Sequence, residues 1–156
     1  MRITEYLSRR AIVPEMKATS KDEVLRELAQ ALASEHPEID AEELVRVLED
    51  RERLGSTGLK DGVAVPHGKM KAVRRLAIAV GRSPKGIDFG SMDQQPATLF
   101  FLLVAPEDAP GSHLQALGRI VDAAQDESFR RALARAKTDG EIHDVIRRAE
   151  ERRAHG

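Results

Sequence analysis

The sequence contains no cysteine. That excludes disulfides, thiolate metal sites and a cysteine nucleophile, and it is compatible with the cytosol. Long apolar runs are also missing. The longest, Leu99 to Ala105, is far too short to span a bilayer. The opening residues Met1-Arg2-Ile3-Thr4-Glu5 lack the apolar core of a signal peptide, so a soluble, cytoplasmic chain with no membrane insertion is expected. Neither sign of charge dominates, with 25 Lys and Arg against 26 Asp and Glu. The two signs are mixed along most of the chain, so nothing argues for a nucleic-acid or membrane surface. The locally basic end, Arg147, Arg148, Arg152 and Arg153, is interleaved with Glu150 and Glu151 and reads as a solvated helix end. There is no H-E-x-x-H or other metal-ligand spacing and no G-x-x-x-x-G-K-[ST] phosphate loop. Internal repeats and low-complexity linkers are absent as well.

What is present fits one domain over residues 1–156. The chain is 41% hydrophobic and 33% charged, enough apolar content for one sizeable core. Ser20 and Glu23 have capping-box spacing ahead of Val24, Leu25, Leu28 and Leu32. They predict a helix from about Ser20 to Glu35, stopped by Pro37. Asp40 and Glu43 repeat the signal before Leu44, Val47 and Leu48, for a helix reaching Arg51 or slightly beyond. Gly55-Ser56-Thr57-Gly58 is a loop by composition. Val63-Ala64-Val65 predicts a short strand ending at His67, and Leu76 to Val80 another. Ile87-Asp88-Phe89 is a weak strand signal, whereas Thr98 to Ala105 has the uniform pattern of a strand buried on both faces. Ser112 and Gln115 predict a helix start, with Leu114, Leu117, Ile120 and Val121 facing inward. Phe129 and Leu133 suggest a short helix, and Thr138 with Glu141 opens the last one. Helices precede, interrupt and follow the strands, so the expected fold is α/β, a sheet covered by helices on both faces.

Three places concentrate chemistry. His67 stands between Pro66 and Gly68. Proline fixes the approach of the chain, and glycine lets another group come close. A neutral imidazole is a competent nucleophile near pH 7 while its other nitrogen is held by a hydrogen bond. With Ser112 as N-cap, His113 would be the first residue of a helix, where the dipole favours anions and a neutral ring. There it could donate a hydrogen bond to a phosphoryl oxygen. Arg51 has the planar guanidinium suited to clamping two such oxygens, and the loop Gly55, Ser56, Thr57, Gly58 could offer N–H groups and hydroxyls to an anion. Taken singly, each feature also has an ordinary structural explanation. His36, His143 and His155 look structural or exposed.

In combination these segments are recognisable. Arg51-Glu52-Arg53-Leu54-Gly55-Ser56-Thr57-Gly58, followed by Gly62-Val63-Ala64-Val65-Pro66-His67-Gly68-Lys69, resembles the enzyme IIA domains of the bacterial sugar phosphotransferase system. The similarity is to the fructose/mannitol class and most closely to its nitrogen-regulatory branch. Gly86-Ile87-Asp88-Phe89, Leu99 to Glu107 and His113-Leu114-Gln115 continue it. Leu59-Lys60-Asp61 departs from the Gly-Asn often found before the second block, and Met1 to Thr19 matches loosely. The resemblance implies a mixed sheet flanked by helices on both sides. It implies that His67 takes a phosphoryl group from the phosphocarrier protein HPr or a nitrogen-branch paralogue. It places the assisting histidine at His113 and the family's arginine at Arg51, not Arg53. No cofactor or metal is implied. The acceptor would be a IIB domain or a regulated target protein, with Lys69, Met70 and Phe89 as candidates for the docking rim. A phosphohistidine phosphatase is a competing class, although such enzymes place Arg directly before His-Gly, where this chain has Pro66. A binding module that is never phosphorylated is another.

Overall fold

A computed structural model describes residues 1–155, with side chains as far as Arg153. After a single 3₁₀ turn at Ile3–Glu5 the elements run β1 (Leu7–Val13), α1 (Lys21–Glu35), α2 (Ala41–Arg53), β2 (Val63–Ala64), β3 (His67–Met70), β4 (Ala77–Ile87), β5 (Ala97–Pro106), α3 (Pro110–Ala124), α4 (Glu127–Arg135) and α5 (Asp139–His155). The helix boundaries follow local chemistry. The Glu23 N–H donates to Ser20 Oγ at 3.3 Å, and that hydroxyl donates to the Glu23 carboxylate at 3.2 Å. His36 leaves the helical region directly before Pro37, as the proline ring demands. Asp40 caps α2, Asp126 caps α4 and the Thr138 hydroxyl accepts from Glu141 N–H at the start of α5.

The sheet is mixed. β1 lies parallel to β4, β4 antiparallel to β5, and both β2 and β3 run parallel along the far edge of β5. Strand β5 is buried except at half-buried Thr98, and its side chains alternate between two cores. Phe100, Leu102 and Val104 pack with Leu25, Leu28, Leu44 and Leu48 of α1 and α2. Leu99, Phe101, Leu103 and Ala105 pack with Ala116, Ile120, Phe129, Leu133, Ile142 and Ile146 of α3, α4 and α5. Both faces of the sheet are therefore covered by helices. Among the described residues no helix is long and apolar enough to cross a membrane.

Four local expectations change. The strand expected to end at His67 breaks earlier and resumes there. Val63 pairs with Leu99 and His67 with Leu103, so β2 and β3 keep one register on β5 across the gap at Val65 and Pro66. Proline has no N–H for the ladder, which accounts for the interruption. The expected strand Leu76–Val80 extends as β4 to Ile87, with an irregularity between Arg82 and Ile87, while Asp88 and Phe89 of the weak second signal lie beyond its end. β1 was not anticipated, because Ser8-Arg9-Arg10 breaks any alternation. Helix α3 begins before Ser112: Ala109 is the N-cap and Pro110 the first helical residue, where its fixed φ is an asset. Its buried face is His113, Ala116, Ile120, Ala123 and Ala124, while Leu114, expected inward, is 67% exposed.

Candidate active site

The site forms where β3, the end of α2 and the first turns of α3 meet. His67 opens β3, paired with Leu103, whose side chain lies in the core beneath α3. Side chains alternate along a strand. His67 and Lys69 therefore face α3, while Met70 joins the opposite core. Gly68 lies against α2, and a Cβ there would sit 2.6 Å from Val47 Cγ1. That close approach explains the glycine after His67.

His67 is half-buried, and its Nδ1 lies 2.8 Å from the Val65 carbonyl oxygen. A carbonyl only accepts, so Nδ1 carries the proton and the Nε2 lone pair is left free. The ring centroid of His113 is 5.1 Å away, with the planes tilted by 59°. His113 is only 7% exposed, and its Nδ1 is buried without a hydrogen-bond partner among the described residues. Burial is the main cause lowering the His67 pKa below its ordinary value. The nearby charges of Arg51 and Lys69 act the same way, against the Val65 hydrogen bond and the Glu52 charge. Burial likewise lowers the His113 pKa, followed by His67, Lys69 and Arg51. Both rings are thus biased toward the neutral form near pH 7.

Arg51 lies in the last turn of α2 and donates from Nη1 to the Gly55 carbonyl at 3.0 Å. Arg53 is exposed and paired with Asp50. Of the two arginines, only Arg51 contributes charge to both imidazoles.

The Gly55–Gly58 loop is engaged in its own structure. The Gly55 N–H donates to Glu52 O at 3.0 Å, and the Thr57 N–H donates to the Glu52 carboxylate at 3.0 Å. Gly58 N–H donates to Ser56 Oγ at 3.0 Å, and that hydroxyl donates to Phe89 O at 2.6 Å. Ser56 retains the one loop N–H without a partner among the described residues. Gly58 is needed for close packing, since a Cβ would meet Ser91 Oγ at 2.4 Å and Ser91 Cα at 2.9 Å.

Two features of the site are not legible in the sequence. One is Glu52, a buried carboxylate inside the recognised block. The other is the exposed apolar set Leu54, Met92 and Leu114. Leu54 caps α2 beside Arg51, Met92 donates its N–H to Gly58 O, and Leu114 follows His113. Two residues expected on the docking rim are instead in the core: Met70 and Phe89 are buried, because β3 turns Met70 inward and Phe89 packs on Phe100 at 5.5 Å. Lys69 is exposed. The N-terminal amide expected for His113 is also occupied, because the earlier helix start lets its N–H donate to Ala109 O at 3.4 Å. His36 Nδ1 lies 3.4 Å from Glu38, and His143 sits half-buried in α5. The side chain of His155 lies outside the described residues. Among the described residues no group of three or more His, Cys, Asp or Glu could hold a metal ion.

Comparison with known proteins identifies the family. The chain is 39% identical over 146 residues to a nitrogen regulatory protein of Bradyrhizobium diazoefficiens, covering 94% of this chain and 95% of that one. It is 36% identical to the fructose-specific EIIABC component of the phosphotransferase system in Bacillus subtilis, covering 94% of this chain but 23% of that longer protein. The fold matches the crystal structure of the nitrogen regulatory protein IIA-Ntr from Neisseria meningitidis with a TM-score of 0.86 at 32% identity, covering 92% of this chain and 98% of that one. Residues 5–149 match the family described as phosphoenolpyruvate-dependent sugar phosphotransferase system, EIIA 2, and the chain belongs to that family.

Proposed function

We propose that the chain is a phosphocarrier that accepts a phosphoryl group on Nε2 of His67 from a phosphohistidine donor and releases it to a partner protein. The observation that carries this reading is the bond from Nδ1 to Val65 O. It fixes the tautomer in which Nε2 has a lone pair and no proton. In the transfer the donor's N–P bond breaks as the Nε2–P bond forms. No general base is needed, because the attacking nitrogen has no proton to lose. Most of the remaining task is in-line positioning and stabilising charge on the three equatorial oxygens. Arg51 would exchange its hold on Gly55 O for those oxygens, and neutral His113 would donate one hydrogen bond to them. Ser56 N–H is the loop donor left for the same purpose.

The donor in this scheme is HPr or a nitrogen-branch paralogue, and the role is regulatory: the phosphorylation state selects which target protein binds. The end-to-end match to nitrogen regulatory proteins supports that branch. A second reading is a transporter IIA component that hands the group to a IIB domain, which the comparable identity to the fructose-specific component favours. In either case the partner meets Leu54, Met92 and Leu114 around the site. A small apolar surface of this kind suits a transient complex.

The test is to incubate the protein with enzyme I, HPr or its nitrogen-branch paralogue, and phosphoenolpyruvate, and to measure intact mass. One acid-labile phosphoryl group, absent from His67→Ala, is expected. No adduct from donors shown active on a control would sink the carrier reading and leave a binding module that is never phosphorylated. Transfer onward to a IIB domain would favour the transport reading over the regulatory one.

A further inference from the structure

Glu52 is a charged residue in a place where charge is costly. Its side chain is 5% exposed, in the last turn of α2. A carboxylate is tolerated there only if its oxygens are occupied. They are: one accepts the Thr57 N–H at 3.0 Å and Lys21 Nζ at 2.8 Å, and the other accepts the Thr57 hydroxyl. Lys21 also lies 4.7 Å from the centre of the Phe89 ring and donates to Phe89 O at 3.4 Å.

The bonds continue beyond Thr57. Its carbonyl accepts the Val65 N–H at 3.0 Å, and the Val65 carbonyl accepts from His67 Nδ1 at 2.8 Å. Val65 lies in the gap between β2 and β3, and its N–H goes to Thr57 rather than to β5. Whatever fixes Thr57 therefore fixes the carbonyl that orients His67. We propose that Glu52 is a positioning residue for phosphoryl acceptance, holding the orientation and tautomer of His67 through Thr57 and Val65. The proposal rests on the carrier reading above for its kinetic consequence, but its structural content concerns the unphosphorylated ring. The negative charge of Glu52 also raises the His67 pKa, in opposition to burial.

The test uses the full chain with ¹⁵N-labelled histidine. Ring-nitrogen shifts are followed against pH in the unphosphorylated wild type, in Glu52→Leu and in Lys21→Met/Glu52→Leu, which leave Thr57 without its acceptor. The double variant removes both charges together, so no buried ammonium is stranded if the single variant folds poorly. In the wild type, His67 is expected as one tautomer with its proton on Nδ1. In both variants the tautomers should mix and the His67 titration should move to lower pH. The maximal rate of phosphoryl acceptance should fall on the order of tenfold, the scale of a misoriented reacting group, while KM for the donor protein holds. Wild-type His67 with its proton on Nε2 would overturn the proposal. So would ring shifts and titration unchanged in a folded variant. If the wild type takes no phosphoryl group at all, the carrier reading fails, and the ring shifts alone decide the hold of Glu52 on His67.

Discussion

On the α2 side of the site, polar groups are paired in series: Lys21 with Glu52, Glu52 with Thr57, Thr57 with Val65, Val65 with His67. On the α3 side they are not. The N-cap, Ala109, makes no side-chain bond, and His113 buries a ring nitrogen with no partner among the described residues. Buried polar groups in folded proteins are nearly always satisfied, so a histidine left unsatisfied beside His67 needs an explanation. The difference assigns tasks. The α2 side holds the His67 ring in place in advance, and under the proposed carrier function the α3 side would meet charge arriving with a phosphoryl group.

That division makes the two sides break differently. Arg51→Ala removes the cation from the ordered side and should slow phosphoryl acceptance about 100- to 1,000-fold, the usual effect of losing one charge-stabilising donor. Rapid-quench kinetics with a phosphorylated donor protein would check this. His113→Gln should cost less, about tenfold to a hundredfold, the worth of a hydrogen bond to a charged group. Because the His113 ring nitrogen has no partner to lose, thermal unfolding should barely change. A large drop in stability there would erase the contrast between the sides.

Gly58→Ala should act on stability first. Its Cβ would press on the Ser91 backbone, at a cost of about 1–3 kcal/mol in urea unfolding. The pH dependence should follow the two lowered imidazoles. The native state resists protonation of His67 and His113, whereas the unfolded chain takes up protons below about 6.5. Stability should therefore fall as pH drops below that value, until the native rings protonate as well. Phosphoryl acceptance should hold its rate to a lower pH than an ordinary histidine allows, and His67→Gln should flatten part of the stability profile. The smallest effect is expected at Ser112. It is not the cap of α3, so Ser112→Ala should stay within about 0.5 kcal/mol. Asp126→Ala, which removes a working cap on α4, should cost about 1 kcal/mol.

Much was legible in the chain itself because it is local. Ser20 and Asp40 cap their helices by their own side chains, and Pro37 stops α1 by its own ring. The apolar run Leu99 to Ala105 in β5, short and rich in β-formers, has the pattern of a strand covered on both faces. The spacing of Arg51, the glycine loop and Pro66-His67-Gly68 was enough for the family resemblance. Other features depended on what lies across the fold. The start of α3 was misplaced because Ser112 and Gln115 imitate a capping box, whereas Pro110 had already begun the helix. How α3 packs on the sheet put His113 beside His67 and left Leu114 exposed. Met70 looks like any apolar residue at a rim until the register of β3 turns it into the core.

Glu52 shows the limit most clearly. In sequence it is one more acid in a charged helix end, between two arginines. Its partners are Lys21, thirty-one residues earlier, and Thr57 across a turn, and its consequence is felt at His67. The sequence by itself determined most of the elements, the family and the candidate site residues, because caps, prolines, apolar patterns and a short motif act over a few neighbouring residues. Only the tertiary structure decided which groups are buried, which hydrogen bonds run in series to His67 and which nitrogen was left waiting, because burial and electrostatics depend on distances through space that the order of residues does not record.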